Sequence, residues 1–83
     1  MEIKEMMGTA IIRDVMKQDG VTQQNLADLL GYRSNSAVAG RLSAPHISAE
    51  KLVEMLNALG YEVIVRKSGV PDSENEVEWR VIG

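Results

Sequence analysis

The chain predicts a mainly α fold with a small β tail: a four- to five-helix domain followed by a C-terminal β-hairpin or strand pair. Three observations predict it. Four short segments before residue 61 carry apolar residues at helical spacing, each bounded by a capping residue or a glycine. Two later segments alternate in polarity and are rich in β-branched residues. The chain has 83 residues, of which 45% are hydrophobic and 25% charged, an ordinary globular composition of one domain's length.

The first helix is expected over 6–18. Ile11, Ile12 and Val15 form its apolar side, with Met7 or Gly8 one turn earlier and Met16 beside them. Arg13, Asp14 and Lys17 fill the other face, and Asp19-Gly20 ends the helix. The second is expected over 23–30, with Thr22 as its N-cap, Leu26, Ala27, Leu29 and Leu30 as its stripe, and Gly31 as its stop. The third spans 35–42 with Ser34 as its cap. Val38 and Leu42 are its only large apolar residues, and Gly40 costs it about 1 kcal/mol of helix propensity against alanine. It therefore needs packing to exist. The fourth, over 49–59, is capped by Ser48, carries Leu52, Met55, Leu56 and Leu59 on one face, and stops at Gly60. Strands are expected at 61–66 and 77–82, joined by a loop at 67–76 that holds Gly69, Pro71 and Asn75. The scattered methionines are expected to fill gaps in the core.

Several function classes are disfavoured at once. There is no cysteine, which removes disulfides, thiolate nucleophiles and thiolate zinc sites, and His46 is the only histidine. His46 reads as a turn residue between Pro45 and Ile47. No apolar run approaches the ~18 residues of a membrane span. Glu2 and Glu5 stand where a signal sequence would carry a basic and then an apolar stretch. No nucleophile elbow, phosphate loop or metal-ligand spacing is visible, and Tyr32, Tyr61 and Trp79 are the only aromatics. The expectation is a soluble cytoplasmic protein that acts by binding, with no catalytic residue, cofactor, metal or membrane partner.

The informative stretch is VTQQNLADLLGYRSNSAVAGRL, residues 21–42. A small residue, Ala27, lets a following helix cross closely. Gly31 permits a sharp turn, and Val38 and Leu42 anchor the second helix while its outer face stays small and polar. The order Thr22-Gln23, Leu26-Ala27, Leu29 or Leu30, Gly31, Val38, followed by Pro45 and the helix ending Leu59-Gly60, resembles the Cro and phage-repressor (XRE-like) family of helix-turn-helix DNA-binding domains. The resemblance covers roughly residues 6–60. It differs at one point: Val38 stands seven residues after Gly31, where the family usually has six, so the turn through Tyr32, Arg33 and Ser34 is one residue longer.

The resemblance implies a helix-turn-helix domain at 1–60, with its motif at about 22–42, that binds double-stranded DNA as a dimer. Gln23 and Gln24, at the start of the first motif helix, become phosphate contacts, together with Arg41 and Ser43. Arg33, Ser34, Asn35, Ser36, Ala37 and Gly40 become candidates for base edges. Asparagine pairs with adenine, arginine with guanine, and an alanine methyl touches that of thymine. The segment at 61–83 is then expected to dimerise through Val63, Val65, Val77, Trp79 and Val81, as strands do in similar Cro proteins. Its alternative role is to cover the monomer's own core. The function implied is a phage- or prophage-type transcriptional regulator in a bacterial or phage-infected cell. The alternative is an antitoxin or other interaction module whose acidic tail binds a toxin or a rival regulator.

A formal charge of −3 opposes a nucleic-acid partner, and locating it weakens that objection without removing it. Asp72, Glu74, Glu76 and Glu78 against Arg80 place all of it after residue 67, whereas residues 21–49 carry Arg33 and Arg41 against Asp28.

Overall fold

Capping residues and left-handed glycines divide the helical part of the chain. The computed structural model describes residues 2–69 and 77–82. In it α1 (Gly8–Asp19), α2 (Gln23–Leu30), α3 (Ser36–Ser43) and α4 (Ala49–Ala58) precede β1 (Val63–Val65) and β2 (Trp79–Val81). The fold class is therefore the expected one, four helices and a two-stranded antiparallel sheet. Most of the expected loop at 67–76 lies outside the described residues. Among the described residues no helix is long and apolar enough to cross a membrane.

The helix ends follow local chemistry. α1 starts at Gly8 rather than at residue 6, because Met6 and Met7 are exposed and Met7 holds extended backbone with no side-chain cap. Gly20 then turns left-handed at φ 68°, and the Val21 N–H donates to Met16 O at 2.9 Å. α2 has the predicted bounds. Thr22 Oγ1 accepts from the Asn25 N–H at 3.1 Å, and Asn25 Oδ1 accepts from the Thr22 N–H at 3.2 Å, a reciprocal cap. Ser48 caps α4 by accepting from the Lys51 N–H. That helix closes at Ala58, with Leu59 as its C-cap.

One core forms behind these elements. Ile12, Met16, Leu26, Ala27, Val38, Leu42, Met55 and Leu56 make a single buried cluster, and no polar side chain is buried among the described residues. Two expected stripes need correction. Leu29 is 59% exposed, because the buried face of α2 centres between Leu26 and Ala27 and leaves Leu29 on its edge. In α4, Val53 is buried with Met55 and Leu56, whereas Leu52 and Leu59 are only partly covered. Only two of the methionines in the described segment fill the core as expected: Met16 and Met55 are buried, whereas Met6 and Met7 face solvent.

The strands are shorter than their alternation implies. Tyr61 belongs to the end of α4, its N–H donating to Leu56 O at 2.9 Å, so pairing begins only at Val63. The register sets Val63 opposite Val81, Ile64 opposite Arg80 and Val65 opposite Trp79. The tail is tied back to α1 by the Tyr61 hydroxyl, which lies 2.9 and 3.1 Å from the two carboxylate oxygens of Asp19.

Two helical glycines should respond oppositely to alanine. A Cβ on Gly8 would stand 2.9 Å from Ile47 Cγ2, a branch fixed close to its own backbone, whereas a Cβ on Gly40 meets nothing within 4 Å. Gly40→Ala is expected to stabilise the fold by about 0.5–1 kcal/mol through helix propensity, and Gly8→Ala to lower stability or gain nothing, as read by urea denaturation. The hydrogen bond to Asp19, with burial and the Asp19 charge behind it, raises the Tyr61 pKa above the usual phenol value. A raised folded-state value means that this anchor is intact at neutral pH and is lost as pH climbs through the folded range. Ultraviolet titration in a Tyr32→Phe background should place Tyr61 above free tyrosine, and Asp19→Asn should bring it back down.

Candidate nucleic-acid interface

α2 and α3 meet through residues 31–35. Gly31 makes the turn at φ 78°, its N–H donating to Asp28 O at 3.1 Å, while the Tyr32 N–H donates to Ala27 O at 2.9 Å. Tyr32 then packs inward against the core, whereas Arg33, Ser34 and Asn35 remain exposed. The Ser34 cap expected for α3 does not form. Asn35 takes the N-cap position with helical backbone and no side-chain bond, which leaves Ser34 one residue too early, and Ser34 Oγ pairs with Ser36 Oγ at 2.7 Å.

α3 is two-faced, as its sequence requires. Val38 and Leu42 are buried, while Ser36, Ala37, Gly40 and Ser43 are exposed. Arg33, Ser34, Asn35, Ser36, Ala37 and Gly40 are therefore all exposed, along the connection and the outer side of α3. The phosphate candidates are arranged differently. Gln23 is half-buried at the first position of α2, and Gln24 Nε2 donates to Asp28 Oδ1 at 3.0 Å. The backbone N–H groups at both positions lie in the turn of a helix that lacks internal acceptors.

Arg41 stands apart from the exposed residues. Its side chain is 19% exposed, Nη1 lies 3.5 Å from Glu54 Oε1, and the guanidinium sits 5.0 Å from the centre of the Tyr32 ring. The Tyr32 hydroxyl donates to the same Glu54 oxygen at 3.1 Å. Behind the other end of α3, Arg13 Nη2 donates to Leu42 O at 2.7 Å, a cation on a helix C-terminus. Arg13 and Glu54 are neighbours of α3 that sequence reasoning missed. Their partners are distant in the chain, and no periodicity signals the pairing. Lys51 was missed as well: with His46 and Arg41 it borders a groove of about 500 Å³ between the outer face of α3 and the start of α4. His46 is exposed in the turn between those helices, as expected.

The tail carries most of its apolar residues on one side, with Ile64 and Ile82 on the other. Cross-strand pairing puts Val63 with Val81 and Val65 with Trp79, and alternation adds Val77. Val63 packs on the helical core and Val81 is half-buried, so the root of the hairpin does cover the monomer. Its outer part does not: Val65, Val77 and Trp79 are each at least half exposed.

The arrangement offers a hydrogen-bonding, sterically slim helix face and a separate apolar patch. Among the described residues no group of three or more His, Cys, Asp or Glu side chains could hold a metal ion. A scan of family models and searches of curated proteins and of solved structures find no match to this chain.

Proposed function

We propose that this protein is a sequence-specific, duplex-DNA-binding transcriptional regulator of phage or prophage repressor type. It binds a two-fold operator as a homodimer and acts by occupancy, blocking polymerase or a rival regulator without chemistry. One observation carries the reading. α3 is held from behind by Val38 and Leu42, yet presents an outer face of Ser36, Ala37 and Gly40 led by Arg33, Ser34 and Asn35. A helix with so little bulk on its open side can enter a major groove closely enough for short side chains to reach base edges. The capped start of α2 supplies backbone donors for a neighbouring phosphate.

One module reads few base pairs, which is why such proteins pair. The exposed Val65, Val77 and Trp79 supply an apolar surface for a second copy. The same patch supports the second reading, an antitoxin or other module that binds a different protein, and mass measurement separates the two.

Selection from a random duplex library should return a two-fold site. Against that site, Arg33→Ala and Asn35→Ala are expected to relax base choice by about 1–3 kcal/mol at single positions. Ser36→Glu should lower affinity for every duplex tenfold or more without lowering the melting temperature. Equal affinity for selected and random duplexes in moderate salt counts against specific binding. In sedimentation the wild type should have twice the chain mass and Trp79→Lys the single mass. A monomeric wild type that pulls down a stoichiometric foreign protein favours the second reading.

A further inference from the structure

We propose that Glu54 withholds Arg41 from the nucleic-acid backbone and thereby sets how strongly binding depends on salt. This inference rests on the DNA-binding reading and assigns a positioning role to a residue outside the reading face. Arg41 belongs to α3 and borders the groove beside Ala37 and Gly40, where a bound duplex would bring its phosphates. By place alone it is the obvious phosphate contact. Its surroundings point the other way. The guanidinium lies against the Tyr32 ring, one nitrogen faces Glu54 at 3.5 Å, and the side chain is 19% exposed.

Glu54 stands where it can withhold that cation. The Tyr32 hydroxyl donates to the same oxygen that faces Arg41, but it is the carboxylate charge, not that hydrogen bond, that pairs with the guanidinium. The contact from Arg41 is long and single, so it acts as a charge pair rather than as a locked fork. That geometry neutralises the cation while the carboxylate is present and frees the guanidinium once the carboxylate charge is removed. Of the two arginines in the motif, only Arg33 then offers its charge outward. Low general attraction to DNA, with base fit deciding the outcome, is the consequence.

The test measures Kd against ionic strength for the selected duplex and for a random one. It uses wild type, Glu54→Gln, Arg41→Ala, the double variant and Tyr32→Phe, each checked for a cooperative melt. Glu54→Gln should bind both duplexes roughly three- to tenfold tighter at low salt and steepen the logarithmic salt slope by about 0.9, one phosphate's worth. Arg41→Ala alone should leave the wild-type slope nearly unchanged, and the double variant should cancel the gain. Tyr32→Phe keeps the carboxylate charged and should keep the wild-type slope, which a merely structural role for the cluster would not.

Three results would overturn the proposal: a gain that survives in the double variant, a wild-type slope already flattened by about 0.9 in Arg41→Ala, or a Tyr32→Phe slope as steep as that of Glu54→Gln. If no variant, the wild type included, binds any duplex, the DNA-binding reading itself fails and this inference falls with it.

Discussion

The seating of α3 is the constraint on which the other contacts depend. This helix brings only Val38 and Leu42 to the core and carries a glycine in its middle. Its own propensity does not hold it together. Tertiary packing does, and every neighbour contributes. α2 offers the small Ala27 and the buried Leu26, α1 places Arg13 on the Leu42 carbonyl, and α4 reaches it through Glu54. The order of the helices and the short connections between them bring three partners to one weak element. α3 can therefore keep its outer side free of bulk.

The two ends of α3 are secured by different physics. At its start the backbone is set by the left-handed turn at Gly31 and by Tyr32, whose ring faces inward and whose hydroxyl bonds Glu54. At its end a cation meets the Leu42 carbonyl oxygen, in the last turn where carbonyls lack intrahelical donors. Each is a single, part-buried hydrogen bond to a charged group, typically worth about 1.5–3 kcal/mol. Their effect is also geometric. They fix the direction in which Ser36, Ala37 and Gly40 face.

Local chemistry was legible in the sequence, and long-range pairing was not. Thr22 and Gly31 bound α2 because a side-chain oxygen and a left-handed glycine act within a turn, where spacing alone is informative. The exposed residues between Arg33 and Gly40 followed from Val38 and Leu42 being the only anchors available. The Ser34 cap failed because Asn35 has already entered helical backbone, a one-residue difference that capping preference does not resolve. Leu29 failed because an eight-residue helix buries only a narrow stripe. Arg13 and Glu54 could not be read at all, because their partners lie 29 and 13 residues away. The strand segments were found, but their lengths were not, since Tyr61 serves the end of α4 before the sheet begins.

Gly40, with open space where a side chain would be, marks a wider property of this surface. The exposed side of α3 carries no core residue, and its polar atoms engage little beyond the pair formed by Ser34 and Ser36. Residues there can be exchanged with little penalty to folding, while those behind them cannot. The molecule thus separates the positions that determine whether it folds from those on the outer face of α3. If that face binds as proposed, over evolutionary time such a scaffold can change its target by rewriting a handful of surface letters, without first acquiring spare stability.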